Sequence, residues 1–275
     1  MKKQTLLAAA MAAFLLLSLA ACHKAPAQTP DEPQIPPVNQ PQDPTPDPAP
    51  PETPQDPDLP QRPQGDVPVE DLVDQGSVEE IVSYQITVPQ ITLADAAAAE
   101  SVNGYYRSAA GKLADYAWGE LYESALEDHS VNQLEASYEV GCNQDGMLSV
   151  FRSAVSTSST GERYVTHYAE TFATKNGGLL IADDFFTVDQ QAYTDVLVSA
   201  VTAQIEAMDQ KDALFDSGWE TTVRQAFDKD QFYLQADPDG MRFVVFYQEG
   251  ELGEDAPYSF ALPVSDLEAI FQLPQ

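Results

Sequence analysis

The sequence predicts an α+β fold in which antiparallel sheets pack against helices. Three observations lead to this fold class. Several stretches alternate apolar and polar residues as strands do, two stretches repeat apolar residues at helical spacing, and short turn motifs join consecutive strands. These patterns run from about Val69 to the C-terminus, so residues 69–275 are expected to form the folded part.

The first elements are predicted to be a strand and a long helix. Residues 80–92 alternate in the manner of a strand, and Thr92 to Asp95 matches a capping box at the start of a helix. Gly119 and two earlier glycines weaken this helix and are expected to bend it. Its apolar and aromatic residues recur on one face and are expected to be core: Val102, Tyr105, Tyr106, Ala109, Leu113, Tyr116, Ala117, Leu121 and Tyr122.

A three-strand meander is expected next. Asp145-Gly146 is a turn motif between its first two strands, and Asn176-Gly177 is a preferred hairpin turn after its third. The three predicted strands cover residues 133–144, 147–158 and 163–175.

The last third is predicted to contain two helices and a second group of strands. Apolar residues from Tyr193 to Met208 share one helical face, and Ser217 begins a capping-box pattern for a short helix that reaches Phe227. Strands are predicted over residues 231–236, 241–248 and 257–264, followed by a helical turn over residues 266–271. Because helices separate the two groups of strands, the folded part can be divided into two small α/β subdomains near Asp183.

The N-terminus has the pattern of an export signal. Lys2 and Lys3 precede an uncharged apolar run, residues 6–19, which is short for a membrane span. The run ends in Leu19-Ala20-Ala21-Cys22, which resembles the lipobox of bacterial lipoproteins. That resemblance implies removal of residues 1–21 and lipidation of Cys22, for example with palmitate. A plain secretory signal and an uncleaved anchor remain as alternatives.

Residues 22–68 are predicted to be a lipidated cysteine followed by a disordered, proline-rich tether. Sixteen of the 21 prolines lie between residues 23 and 68, with no aromatic residue among them. Such a composition buries too little apolar surface to fold, and it favours an extended path. A spacer that holds the folded part away from a membrane is preferred over a ligand for proline-binding domains.

Charge and cysteine content exclude several classes of protein. The chain has 44 Asp and Glu against 13 Lys and Arg, a net charge of −31. This balance excludes an ordinary nucleic-acid binder, which needs a basic surface. Cys22 and Cys142 are the only cysteines, so the folded part has no internal disulfide. Cys142 is expected to be a small buried residue on a strand.

No motif for catalysis, metal binding or a cofactor emerges. His167 is expected to be a structural strand residue, since no acidic or histidine partner stands at metal-ligand spacing. Asp183 and Asp184 are an acidic pair that a glycan-cleaving enzyme could use, but they are better explained as the start of a helical segment. Asp237 and Asp239 suggest calcium, although a tight turn fits the spacing better.

Three segments of the folded part resemble the RsiV-like extracellular domains. They are the strand, hairpin and Asp-Asp-Phe-Phe turn in residues 164–186, the strand pair in residues 232–247, and residues 256–267. Shorter matches lie at Val88 to Ile91 and at Val102-Asn103. The resemblance implies an α+β fold. In the anti-sigma factor of this family, the extracellular domain binds lysozyme and thereby triggers proteolysis, and related domains precede some cell-wall deacetylases.

This chain departs from both family members, because a lipobox takes the place of a sigma-binding segment and no deacetylase metal motif is found. We therefore expect a lipid-anchored, extracytoplasmic binding domain without enzymatic activity. Its expected partners are the membrane, through the lipid on Cys22, and lysozyme, another basic protein or a cell-envelope ligand. An enzyme that acts on cell-wall polysaccharide through carboxylates and a structural envelope assembly partner are the alternatives.

Overall fold

The computed structural model describes residues 65–209, 211, 215, 217–252 and 257–274. The lipobox residues Leu19, Ala20, Ala21 and Cys22, and the tether up to residue 64, lie outside the described residues. Within these residues, nine strands form two sheets, together with four α-helices, which confirms the α+β fold class. In the described part, no helix is both long enough and apolar enough to cross a membrane.

The larger sheet has six strands in the order β1 to β6. Its neighbours are antiparallel except for β2 and β3, which run parallel over Val82 to Ile86 and Asn132 to Ala136. A parallel pair needs a long crossover connection, and the helices between β2 and β3 provide it. The six strands are β1 (Val69–Val78), β2 (Val82–Ile91), β3 (Asn132–Gln144), β4 (Met147–Ser158), β5 (Arg163–Ala173) and β6 (Gly178–Leu180).

The crossover is one long helical stretch with a wider turn inside it. Helix α1 (Ala96–Tyr116) leads into a π-helical turn (Ala117–Leu121) and then into α2 (Tyr122–Asp128). Gly119 lies in the π-helical turn, whereas the two earlier glycines lie in regular helix. The predicted capping box was wrong: Asp95 itself is the N-cap, and its carboxylate accepts from Ala97 N and Ala98 N at 2.8 and 3.1 Å.

The smaller sheet has three antiparallel strands: β7 (Phe232–Asp237), β8 (Gly240–Tyr247) and β9 (Tyr258–Pro263). It packs with α3 (Gln190–Glu206) and α4 (Trp219–Ala226) around an aromatic core that includes Phe185, Tyr193 and Phe243. Ser217 does not cap α4, because Gly218 holds the N-cap position in a left-handed conformation. The helical turn expected at residues 266–271 is a 3₁₀ turn at Val264–Leu267.

The two sheets contact each other through β7. The hydroxyl of Ser149 on β4 accepts a hydrogen bond from Leu234 N at 2.9 Å and shares another with Thr171 at 2.8 Å. On β3, Gly141 lies directly under the Leu234 carbonyl, where a Cβ would collide. The division proposed near Asp183 falls in the 3₁₀ turn (Ala182–Phe185) that follows β6.

Two parts of the fold differ from the sequence-based expectation. The edge strand β1 is absent from the prediction, because its residues are mostly charged or exposed and show no alternation. Residues upstream of Val69 also contact the folded part. The side-chain amide of Asn143 accepts from Val67 N at 3.0 Å and donates to Val67 O at 2.8 Å. The backbone of Asp66 donates to Asn143 O.

Candidate functional site: an exposed tryptophan on an acidic helix

Trp118 is a large apolar side chain that the fold leaves 41% exposed. It lies in the π-helical turn, a feature that is rare in helices and frequent at functional sites. Its ring meets the ring of Tyr84 edge to face, with centroids 5.3 Å apart. On β1, Gly76 leaves room for the indole, since a Cβ there would come within 2.6 Å of Trp118 Cζ2. The indole is therefore held in place although it faces solvent.

The support beneath Trp118 is polar and acidic. Tyr84 donates a hydrogen bond from its hydroxyl to Asp74 Oδ1 on β1 at 3.3 Å. Burial and the Asp74 carboxylate raise the pKa of Tyr84, so the phenol stays protonated and keeps its donor. The acceptor, Asp74, is itself exposed. A partner that covers the indole would therefore meet negative charge beside it.

Acidic residues also dominate the end of the helix that carries Trp118. Between residues 113 and 128 there are five acids and no Lys or Arg, and all five acids are exposed: Asp115, Glu120, Glu123, Glu127 and Asp128. The C-terminus of a helix is the negative end of its dipole, so the two acids of the last turn, Glu127 and Asp128, each cost roughly 0.3–1 kcal/mol. An arrangement that works against helix stability favours a functional reason for these acids. Trp118 and the five acids lie on one helical stretch, and we call this stretch the acidic tryptophan surface.

Most of the basic residues are already paired with acids. Residues 69–275 contain nine Lys and Arg against 36 Asp and Glu, a net charge of −27. Six of the nine form ion pairs within the described residues: Arg107, Arg152, Lys211, Arg224, Lys229 and Arg242. The charge available to a partner is therefore negative over much of the surface.

Among the ion pairs of the described residues, the buried one is structural. Arg152 on β4 and Glu170 on β5 are 4% and 5% exposed, and Arg152 Nε donates to Glu170 Oε2 at 3.0 Å. Tyr105 donates to Glu170 Oε1 at 3.0 Å, and the guanidinium lies 4.8 Å from the centre of the Tyr168 ring. Burial alone would lower the pKa of Arg152, but the Glu170 carboxylate raises it, so the guanidinium stays charged. The pair joins the sheet to α1.

His167 and Cys142 occupy the structural positions expected for them. The ring of His167 stacks on Phe151 at 4.9 Å, and its Nδ1 lies 2.8 Å from Ser153 Oγ. Burial lowers the pKa of His167. Cys142 is buried beside a bulge in β3, and burial raises the pKa of its thiol to about 11, so the reactive thiolate is scarce at neutral pH.

The acidic pairs that the sequence suggested as sites form hydrogen bonds or ion pairs with nearby residues. Asp183 Oδ1 accepts from the Tyr193 hydroxyl at 3.2 Å, and Asp184 Oδ2 accepts from Ile181 N at 2.9 Å. Asp237 pairs with Arg242 across the turn between β7 and β8, which confirms the predicted turn. Among the residues that the structure describes, no group of three or more His, Cys, Asp or Glu side chains is placed to hold a metal ion.

Comparisons with known proteins identify solved structures that have a similar fold. A crystal structure of a DUF3298 family member from Bacteroides fragilis matches with a TM-score of 0.56 at 14% identity, covering 76% of this chain and 95% of that one. A DUF3298 family protein from Pseudomonas aeruginosa matches with a TM-score of 0.53 at 12% identity, covering 75% and 94%. The chain shares its fold with these proteins. DUF3298 is the family of RsiV-like domains, so the fold that the resemblance implied is confirmed. No family model and no curated protein matches the chain.

Sequence analysis did not single out Trp118. The aromatic residues of the helix were interpreted as one core-facing stripe, and the buried members of that stripe, such as Tyr106 and Leu113, confirm this. Trp118 directly follows the buried Ala117 in the sequence, and its side chain therefore lies outside the apolar face of the helix. The signal that could have identified it was the run of acids without a base at the end of a helix.

Proposed function

We propose that this chain is a lipid-anchored, extracytoplasmic binding protein without enzymatic activity, and that its partner is a basic protein such as lysozyme. The observation that carries the proposal is the acidic tryptophan surface. Trp118 is exposed and packed against Tyr84, and tryptophan is enriched among the residues that contribute most to binding at interfaces. The exposed acids of the same helical stretch would attract a basic partner.

The anchor is proposed from the lipobox that ends at Cys22. Replacing the thiol in Cys22→Ala removes the only group that could carry the lipid at this position. Acyl labelling should then disappear, and the protein should leave the membrane fraction. Persisting label in this variant would contradict the proposed anchor.

The partner is tested with the full-length protein in detergent micelles. Binding of lysozyme is compared with binding of cytochrome c, a basic control, over a salt series. Charge attraction alone weakens as salt rises, whereas a contact with Trp118 does not depend on salt. We expect tight lysozyme binding that survives moderate salt and little binding of cytochrome c. Equal binding of both proteins, lost together as salt rises, would contradict recognition.

Two matched pairs of variants locate the contact. Trp118→Ala should weaken lysozyme binding at least about tenfold, as a central interface residue does, while Val196→Ala, which is similarly exposed on α3, should not. Glu120→Gln with Glu123→Gln should slow association at low salt. Asp266→Asn with Glu268→Gln changes the charge equally at a distant part of the chain and should have less effect. Unchanged binding in the first member of both pairs would exclude this surface.

A further inference from the structure

A polar cavity of about 760 Å³ lies between the ends of α3 and α4, in a part of the fold separate from the acidic tryptophan surface. Its volume falls within the range of about 300–1,000 Å³ typical of small-molecule sites. Four glutamines line it: Gln190 and Gln191 at the start of α3, Gln225 near the end of α4, and Gln231 before β7. Four amides from three separate segments converge on one space.

Some of these amides are already engaged. Gln191 donates to Asp195 Oδ1 at 3.1 Å, and Gln231 donates from Nε2 to Glu251 Oε1 at 3.3 Å. The other end of the Gln231 amide is different. Its Oε1 is buried and has no hydrogen-bond partner within the described residues. A buried acceptor that has lost water without gaining a partner is costly, but this oxygen has almost no accessible surface, so a ligand in the cavity does not reach it.

The remaining polar groups on the lining can both donate and accept. An amide carries two donors and an acceptor, and the hydroxyl of Thr194 can act in either sense. In the described part, the side chains of Gln190 and Gln225 make no hydrogen bond to protein. A matching ligand must therefore offer several donors and acceptors close together. The hydroxyl groups of a sugar ring have this property.

The charged side chains on the lining of the cavity restrict which ligands can bind there. Asp228 and Glu251 line the cavity, and its one basic residue, Lys229, is paired with Asp230 at 2.7 Å. A phosphate or uronate would be repelled by this negative potential. The half-buried ring of Phe227 offers an apolar surface for the C–H side of a sugar. We propose that the cavity is a binding site for a neutral oligosaccharide, held by the amides of Gln190 and Gln225.

The test uses the full-length protein in lauryl dimethylamine oxide, a detergent without a sugar headgroup. Cellotetraose, maltotetraose and tetra-N-acetylchitotetraose are the neutral probes, and a galacturonic acid oligomer is the anionic probe. Binding is followed by saturation-transfer NMR and calorimetry. We expect saturable binding of at least one neutral probe and none of the anionic one. No saturable binding of a neutral probe up to its solubility limit, or a preference for the anionic oligomer, would overturn the proposal.

Variants then assign binding to the cavity. Gln190→Ala and Gln225→Ala change exposed side chains and should each lower the association constant at least fivefold. Gln133→Ala, an exposed glutamine on β3, should leave it within twofold. If Gln190→Ala and Gln225→Ala bind as tightly as the unchanged protein, the cavity is not the site. Lysozyme should bind both cavity variants as tightly as it binds the unchanged protein. The oligosaccharide proposal and the lysozyme proposal are therefore tested independently.

Discussion

The indole of Trp118 rests over Gly76, and the hydrogen of this glycine is what allows the two elements to come so close. A single residue on the edge strand thus determines where an exposed tryptophan of the helix can lie. Gly76 does not have a positive φ, so its role here is to provide space. This contact links β1, which sequence patterns do not reveal, to the surface that we propose binds the partner.

Gly76→Ala should displace Trp118 while leaving the fold intact. The added Cβ would lie 2.6 Å from Trp118 Cζ2 and 2.7 Å from Tyr84 Cε1, so the indole must move. The chain has two tryptophans, and Trp219 is buried at 7% exposure. With 5-fluorotryptophan, the ¹⁹F resonance of Trp118 should shift and that of Trp219 should stay. Lysozyme binding should weaken in parallel. Gly104→Ala is the control, since a Cβ there meets only a flexible arginine at 3.8 Å.

Breaking the buried ion pair should strongly destabilise the fold. Arg152→Leu leaves Glu170 charged and buried, and it should lower the free energy of unfolding by about 3–5 kcal/mol in urea denaturation. Glu170→Leu should have a similar effect. The double variant should lose much less than the sum, because no isolated charge remains. Additive losses would show that the two side chains do not act as a pair. Arg107→Leu, which removes an exposed pair with Glu100, should change little.

The side chain of Asn143 should stabilise the fold by binding the backbone of Val67. In Asn143→Ala the backbone N–H and C=O of Val67 lose their partners, and Val67 is buried. The expected loss is about 1–3 kcal/mol in the free energy of unfolding, the cost of buried polar groups without partners. Proteases should also cut at residues 65–68 more readily. Gln144→Ala changes the neighbouring exposed side chain and serves as the control. Equal cleavage of both variants would argue against the contact.

His167 should make stability depend on pH near neutrality. Burial lowers its pKa in the folded state, so the unfolded chain, which titrates near about 6.5, binds a proton that the folded chain does not. The free energy of unfolding should therefore fall as pH drops below about 6.5 and level off once the folded pKa is passed.

The pH effect is measured by urea denaturation from about pH 5.5 to 7.5 in the unchanged protein and in His167→Gln. The slope should be smaller in the variant, whereas His129→Gln, which changes an exposed residue, should keep it. Identical slopes in all three proteins would contradict the assignment to His167.

Much of the secondary structure follows from local sequence. The alternating residues of β2 and β3 predict strands because one face of each is buried against α1, and their observed burial alternates accordingly. The turn at Asp145-Gly146 is predictable because both residues adopt positive φ, which Asp and Gly accept more readily than most residues. These features depend on neighbours within a few residues.

Other features depend on partners far away in the chain. Strand β1 exists because the free edge of β2 pairs with it along ten residues, from Val69 opposite Ile91 to Val78 opposite Val82, although most of its own residues are exposed. The N-cap is Asp95 and not Thr92 because only Asp95 has an extended backbone at the point where the helix begins. No local pattern encodes the Arg152–Glu170 pair either, since the two lie on different strands.

The sequence by itself therefore determined the fold class, most strands and helices, and the acidic character of the folded part, because these depend on periodicity and composition. Only the tertiary structure decided which aromatic residue of the long helix is exposed. Trp118 is exposed because a π-helical turn and Gly76 place it outside the core, and the cavity forms because three separate segments bring their glutamines together. Such placements arise from long-range packing, which a one-dimensional pattern does not contain.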